Sequence, residues 1–207
     1  MRLEHLDLAY AERPPEGLSV EQVVDEVTTL ITAGKLRAWG VLNWPAPLIE
    51  EAASVSARRG IPGPCAGQLP YNLVIREAVE APAMREALDS AGASVVASYT
   101  LHGGALSGKY GDPGAEGRVT ARIDDRDYSR PLAAARDLST LASAIGAAPA
   151  ALAIAFTLAN PRVATALFGA TTPEQIDENL GAVELSGRLD MSALERLRRI
   201  GTETVAD

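Results

Sequence analysis

The chain reads as an α/β protein built on a parallel sheet, and three observations predict it. Short apolar strands alternate with amphipathic helical stretches from Leu6 onward. Capping residues mark where helices start and stop, as at Ser19 and Gly60. The run Leu167 to Ala182 breaks at Gly169 into a capped helix start, with Thr172 as cap, Pro173 in the first turn and Gln175 completing a capping box. Such a turn offers an anion site, although any α/β protein contains plain turns of the same kind.

The elements follow in order. The first strand covers about Leu6 to Ala11. Ser19 and Gln22 form a capping box ahead of Val20, Val23, Val24, Val27, Leu30 and Ile31 at helical spacing, and Gly34 ends that helix. A strand at Arg37 to Val41 leads to a helix from Ala46 to Arg59, whose two closing arginines and Gly60 suit a helix C-terminus. A third strand spans Cys65 to Leu69, with Cys65 read as a small core hydrophobe. A short helix at Ala83 to Ala91 and a strand at Ser94 to Tyr99 come next. Residues 111–128 carry Gly, Pro, Asp and Arg without an apolar period, which predicts a mobile loop within a single domain of 1–207. Helices at Ser129 to Ile145 and Pro149 to Ala159, a strand at Val163 to Phe168, a helix from Pro173 and a last helix after Asp190 complete the series.

Composition narrows the function classes. The 207 residues are 47% apolar with net charge −8, enough for one sizeable core and unsuited to a polyanion surface, so nucleic acid is excluded as a partner. One cysteine forms no intrachain disulfide, and two histidines and a cysteine far apart in sequence make no metal site. No signal peptide or long apolar span is present, so a cytoplasmic protein without membrane insertion is expected. Gly103 to Lys109 has the spacing of a phosphate loop, but Tyr110 stands where Ser or Thr would bind magnesium, which argues against nucleoside triphosphate hydrolysis.

Five collinear motifs carry a family resemblance: Asp7 to Pro14, Ala33 to Trp44, Gln68 to Leu73, Gly103 to Tyr110 and Gly169 to Ala182. Together they resemble the aldo-keto reductases, in particular the branch containing potassium-channel beta subunits, from barrel strand four onward. The implied fold is an incomplete TIM-type (β/α) barrel of about five parallel strands with flanking helices, since a complete barrel takes about 250 residues. The resemblance begins at the fourth of eight strands, so the Asp, Tyr and Lys of the reductase tetrad have no counterpart, and Glu12 stands at the family's usual His.

The resemblance also implies site residues. Gly169, Thr171, Gln175, Glu178 and Asn179 match positions that hold the adenosine end of NADP, Gln68 the residue at the carboxamide, Asn43 a polar neighbour after strand five, and Lys109 lies near the pyrophosphate. The aromatic that stacks on nicotinamide is replaced by Ser98, and the Ser-Pro pair after it by Tyr99-Thr100, so NADP binding and a cofactor-free protein both remain open. Strand ends are where such folds place chemistry. Glu12, Tyr71, Tyr99 and His102 are therefore the acid-base candidates, Glu12 set against an ion pair with Arg13 or a solvated rim residue, and His102, titrating near neutrality, set against a backbone-bonded loop residue.

Three functions fit these residues. The first is a non-reductive acid-base enzyme, an isomerase, dehydratase or cyclase acting on a small carbonyl metabolite. The second is an NADPH-dependent reductase completed by another chain, and the third a noncatalytic NADP-binding sensor or subunit. Open strand edges at Leu6 to Ala11 and Val163 to Phe168 imply burial in a homodimer or against a partner chain.

Overall fold

The computed structural model describes residues 3–111, 114–122 and 125–202; positions 112–113 and 123–124 of the expected loop lie outside the described residues. Five strands form one parallel sheet in the order β1-β2-β3-β4-β5, flanked by helices, the architecture of an incomplete TIM-type barrel. They are β1 Leu6–Glu12, β2 Leu36–Leu42, β3 Ala66–Pro70, β4 Ser94–Ser98 and β5 Val163–Ala166. The chain divides into two compact units, one of residues 1–69 and 77–96, the other of residues 70–76 and 97–207. Two of the three divisions fall within strands β3 and β4, and the third lies between Arg76 and Glu77.

In the first unit, helix α1 (Val20–Thr32) starts on the Ser19–Gln22 capping box, with the Gln22 amide donating to Ser19 Oγ at 3.2 Å and the Ser19 amide to Gln22 Oε1 at 2.9 Å. Helix α2 (Ala46–Arg59) ends on Gly60 at φ 65°, the left-handed stop that glycine supplies. Arg59 then bridges Glu21 and Asp25 of α1. Trp39 and Val41 of β2 are buried, and the Trp39 indole donates to the Pro62 carbonyl at 3.0 Å. A four-residue helix α3 (Glu77–Glu80), too short to show periodicity, precedes α4 (Pro82–Ala91).

The second unit holds α5 (Arg126–Ala144), α6 (Pro149–Leu158), α7 (Pro173–Arg188) and α8 (Met191–Ile200). Apolar on every side, α6 is a core helix, packing Ala151, Ile154 and Ala155 against Ala182, Leu185 and Leu189. Helix α5 starts three residues earlier than its sequence pattern suggests, since Asp125 gives no side-chain cap to mark the turn, and so Tyr128 is helical. The described part of the expected mobile loop is anchored: Val119 is buried against Ala105 and Tyr128, and its amide donates to the Tyr110 hydroxyl at 3.1 Å.

Cys65 departs from its expected core role. It precedes β3, its backbone joins the ladder through Trp39 and Ser94, and its side chain is exposed. Among the described residues no single helix is long and apolar enough to cross a membrane.

Strand β1 pairs with β2 with Tyr10 opposite Gly40, and β2 pairs with β3 with Gly40 opposite Ala66. The Tyr10 ring lies over Gly40, so a Cβ there would sit 2.5 Å from the Ala66 carbonyl oxygen and 2.8 Å from Tyr10 Cε1. Backbone cannot yield as a flexible side chain does. Gly40→Ala is predicted to cost about 1–3 kcal/mol in urea unfolding; an unchanged midpoint would contradict this close approach.

Candidate functional site

Three residues other than glycine adopt left-handed backbone angles among those described: Asn43 (φ 55°), Tyr99 (φ 59°) and His102 (φ 50°). Each follows the C-terminal end of a strand, and side chains with a Cβ enter this region at a cost, so the surrounding bonds must hold them there. All three were singled out by sequence.

In the first unit, the Asn43 amide donates to the Gln68 carbonyl at 3.0 Å, which brings these two expected cofactor contacts together at neighbouring strand ends. Glu12 closes β1 opposite Leu42 and is exposed. Its carboxylate has no hydrogen-bond or ion-pair partner among the described residues, so of the two alternatives to a catalytic role the Arg13 pair is not formed and Glu12 sits as a solvated residue.

The second unit gathers Tyr99, His102 and a residue that sequence reasoning missed, Tyr128. The Tyr99 and Tyr128 hydroxyls share a hydrogen bond of 3.2 Å. The His102 ring lies 4.6 Å from the Tyr99 ring and 5.6 Å, edge-on, from that of Tyr128. Beneath them, Asn72 donates to the Tyr99 carbonyl at 2.8 Å and presents the same amide nitrogen to His102 Nδ1 at a long 3.5 Å. A donor facing Nδ1 suits the neutral tautomer protonated on Nε2.

Burial sets the protonation states here. His102 is 8% exposed, and desolvation lowers its pKa to about 4, opposed only in part by Asp127, so it is neutral at physiological pH rather than poised near neutrality as its sequence suggests. The Tyr99 hydroxyl is pushed up to about 12, first by desolvation and then by its bond to Tyr128, while Arg122 and Arg118 pull the other way. Tyr99 therefore stays protonated, and at 40% exposure it is open to solvent.

Gly103 and Gly104 leave room for these groups. A Cβ on Gly103 would stand 3.6 Å from the Tyr99 hydroxyl and 3.8 Å from that of Tyr128, and one on Gly104 would stand 3.9 Å from Lys109 Nζ. Two phenols and an ammonium group thus border consecutive glycines, with Arg122 5.2 Å over the Tyr128 ring. A cleft of about 690 Å³ opens nearby, bordered by Ala105, Gly108, Tyr110, Leu132, Arg136 and Ser139, a size suited to a small metabolite.

Tyr71, an acid-base candidate from the sequence, lies in the core. It is fully buried, its ring stacks 6.3 Å from Phe156, and its hydroxyl accepts from Asn160 at 3.1 Å. A group without solvent contact cannot meet a substrate in this arrangement.

The helix start at α7 differs in detail from a plain capping box. Thr172 Oγ1 accepts from the Gln175 amide at 3.4 Å, but Gln175 Oε1 reaches past the cap to the Thr171 amide at 2.8 Å. Glu174 has a lowered pKa because its own amide, then the Thr172 hydroxyl, donate to it. The first-turn donors are thus partly satisfied by the protein itself. Gly169, Thr171, Gln175 and Glu178 are exposed with open space in front of Gly169, which fits the adenosine end of a dinucleotide; Asn179 is buried. Ser98, half-buried at the end of β4, has no ring to stack on a nicotinamide. Among the described residues no cluster of three or more His, Cys, Asp or Glu side chains is placed to hold a metal.

Comparison with known proteins agrees with the motifs. The aldo/keto reductase family model matches residues 1–201. The chain is 34% identical over 207 residues to a Schizosaccharomyces pombe protein named as a voltage-gated potassium channel subunit beta, covering 96% of this chain and 60% of the relative. It is 30% identical over 209 residues to a protein of the same description from Oryza sativa subsp. japonica, covering 96% of this chain and 62% of the relative. The chain belongs to the aldo/keto reductase family, and it spans about three-fifths of the length of these relatives.

The buried neutral histidine has a consequence for stability. Because its folded pKa of about 4 lies below the unfolded value of 6.5, the unfolded state takes up the proton first as pH falls. The contribution is fully present above pH 6.5 and is lost progressively as pH falls through that value toward 4. The gap corresponds to roughly 3 kcal/mol. His102→Gln is predicted to flatten the fall in urea stability between pH 6.5 and 4 relative to wild type; parallel curves would contradict a buried neutral imidazole.

Proposed function

We propose that this aldo/keto reductase family chain is a non-reductive acid-base enzyme acting on a small carbonyl compound, by isomerisation, dehydration or cyclisation. The observation that carries the reading is the partly exposed Tyr99 side chain, its hydroxyl kept protonated and bonded to Tyr128, with neutral His102 against its ring. A phenol of raised pKa is a hydrogen-bond donor that does not ionise, suited to a carbonyl oxygen gaining charge as a neighbouring C–H is lost. Lys109, half-buried beside the same glycines, would offset that charge. Glu12 is the proton acceptor assigned from the sequence.

A second reading is supported by the exposed Gly169, Thr171, Gln175 and Glu178 and by the length of the relatives: an NADPH-dependent reductase completed by further polypeptide. NADPH would then supply the hydride, with those four residues holding its adenosine end. The relatives' description as channel beta subunits supports a noncatalytic NADP-binding subunit on the same residues.

Solvent-deuterium exchange into a panel of enolisable ketones and aldehydes, followed by NMR, separates these readings. Wild type is expected to catalyse exchange without added cofactor, and Tyr99→Phe and Glu12→Gln each to slow it roughly 100-fold or more. Full-rate exchange by Tyr99→Phe would remove the phenol from the chemistry. NADPH oxidation in step with carbonyl loss would replace the proposal with the reductase reading.

A further inference from the structure

Within the second unit, the C-terminal turns of α5 and α8 border a groove of about 390 Å³. Asp137, Thr140, Leu141 and Ala144 face it from α5 at spacings of three and four residues, and Arg196, Arg199 and Ile200 face it from α8 at the same spacings. It shares no residue with the cleft beside Gly103 and Gly104, which takes Leu132, Ala135, Arg136 and Ser139 from the largely opposite side of α5. The α8 wall is pinned. Leu197, between the two arginines, is buried, and just past the helix Arg130 Nε donates to the Gly201 carbonyl at 3.0 Å. Gly201 lies so close to the Leu73 carbonyl that no Cβ fits there.

The charges in this groove are not spent on one another. Among the described residues the side chains of Asp137, Arg196 and Arg199 form no ion pair or hydrogen bond. The Thr140 hydroxyl directs its proton to the Arg136 carbonyl at 3.2 Å, so the free donors are the two guanidinium groups. Arg199 stands in the last turn of α8, where a cation offsets the helix dipole; Arg196 stands a turn earlier, beyond the reach of that effect. Two positive charges against the one carboxylate of Asp137 leave a place for a single added negative charge. A second would meet Asp137 and the carbonyl ends of both helices.

We propose that the α5–α8 groove binds a small monocarboxylate with an apolar body, its carboxylate held by Arg196 and Arg199 and its hydrocarbon set against Leu141, Ala144 and Ile200. The forked N–H donors of a guanidinium match the two oxygens of a carboxylate, and the three aliphatic side chains give the rest of such a molecule a surface away from water. The volume is that of a small-molecule site. This site is separate from the Tyr99 cluster and stands whichever reaction that cluster performs.

The test titrates hexanoate into the full chain by calorimetry and maps its site from backbone amide shifts by NMR. Acetate, which lacks the apolar body, and hexanol, which lacks the charge, are the comparison probes. The proposal expects saturable hexanoate binding at millimolar concentration or below, shifts centred on residues 137–144 and 196–200, and roughly tenfold or weaker binding of each comparison probe. Arg196→Gln removes one cation, and Ala144→Phe fills the groove with every charge kept. Each is expected to weaken hexanoate binding roughly tenfold or more, with circular dichroism showing that the variants fold. Absence of saturation, shifts centred elsewhere, or either variant binding at wild-type strength would overturn the proposal. Acetate or hexanol binding as tightly as hexanoate would also overturn it, by showing a charge-only or a purely apolar surface.

Discussion

The buried side-chain amide of Asn72 organises the second unit's site. Fully enclosed, its oxygen accepts locally from the Val74 and Ile75 amides at 2.9 and 2.8 Å, and its nitrogen donates to the Tyr99 carbonyl 27 positions away. A buried amide left unpaired is costly, so these bonds fix both the turn after β3 and the backbone after β4. Tyr99 and His102 are thereby held at positive φ, an arrangement that neither side chain would choose in an open loop. Everything proposed for the phenol pair depends on that placement.

Much of this was legible in sequence, and the parts that were not share a cause. Local signals worked where one residue's chemistry decides a boundary: the Ser19–Gln22 box, Gly60 after Arg59, and Pro173 behind Thr172. Tyr128 was missed because α5 begins without a side-chain cap, and its pairing with Tyr99 spans 29 positions. The burial of Tyr71 was not legible because a tyrosine at a strand end looks the same in sequence whether it faces solvent or Phe156. The low pKa of His102 comes from burial, a property of packing that composition does not report.

Family membership and chemistry separate at particular positions. The family match over residues 1–201 carries the fold, whereas the adenosine-end roles of Gly169, Gln175 and Glu178 and the altered positions Ser98, Tyr99 and Glu12 are expectations that the resemblance implies. A fold hosts many reactions and the site decides among them. Around Tyr99 the structure places a second ring hydroxyl and a buried imidazole, the groups on which the proton-transfer proposal rests.

The most direct test of the account is the ionisation of His102 itself, because its neutrality requires the buried cluster to exist as described. The chain has only two histidines, His5 and His102, so their ring signals can be assigned by one substitution and followed by NMR from pH 8 to pH 3.5. The account predicts that His102 keeps the shifts of a neutral ring, protonated on Nε2, until the pH approaches about 4. Titration of His102 near its ordinary value of 6.5 would contradict it, showing a solvated ring and no Asn72–Tyr99–Tyr128 cluster around it.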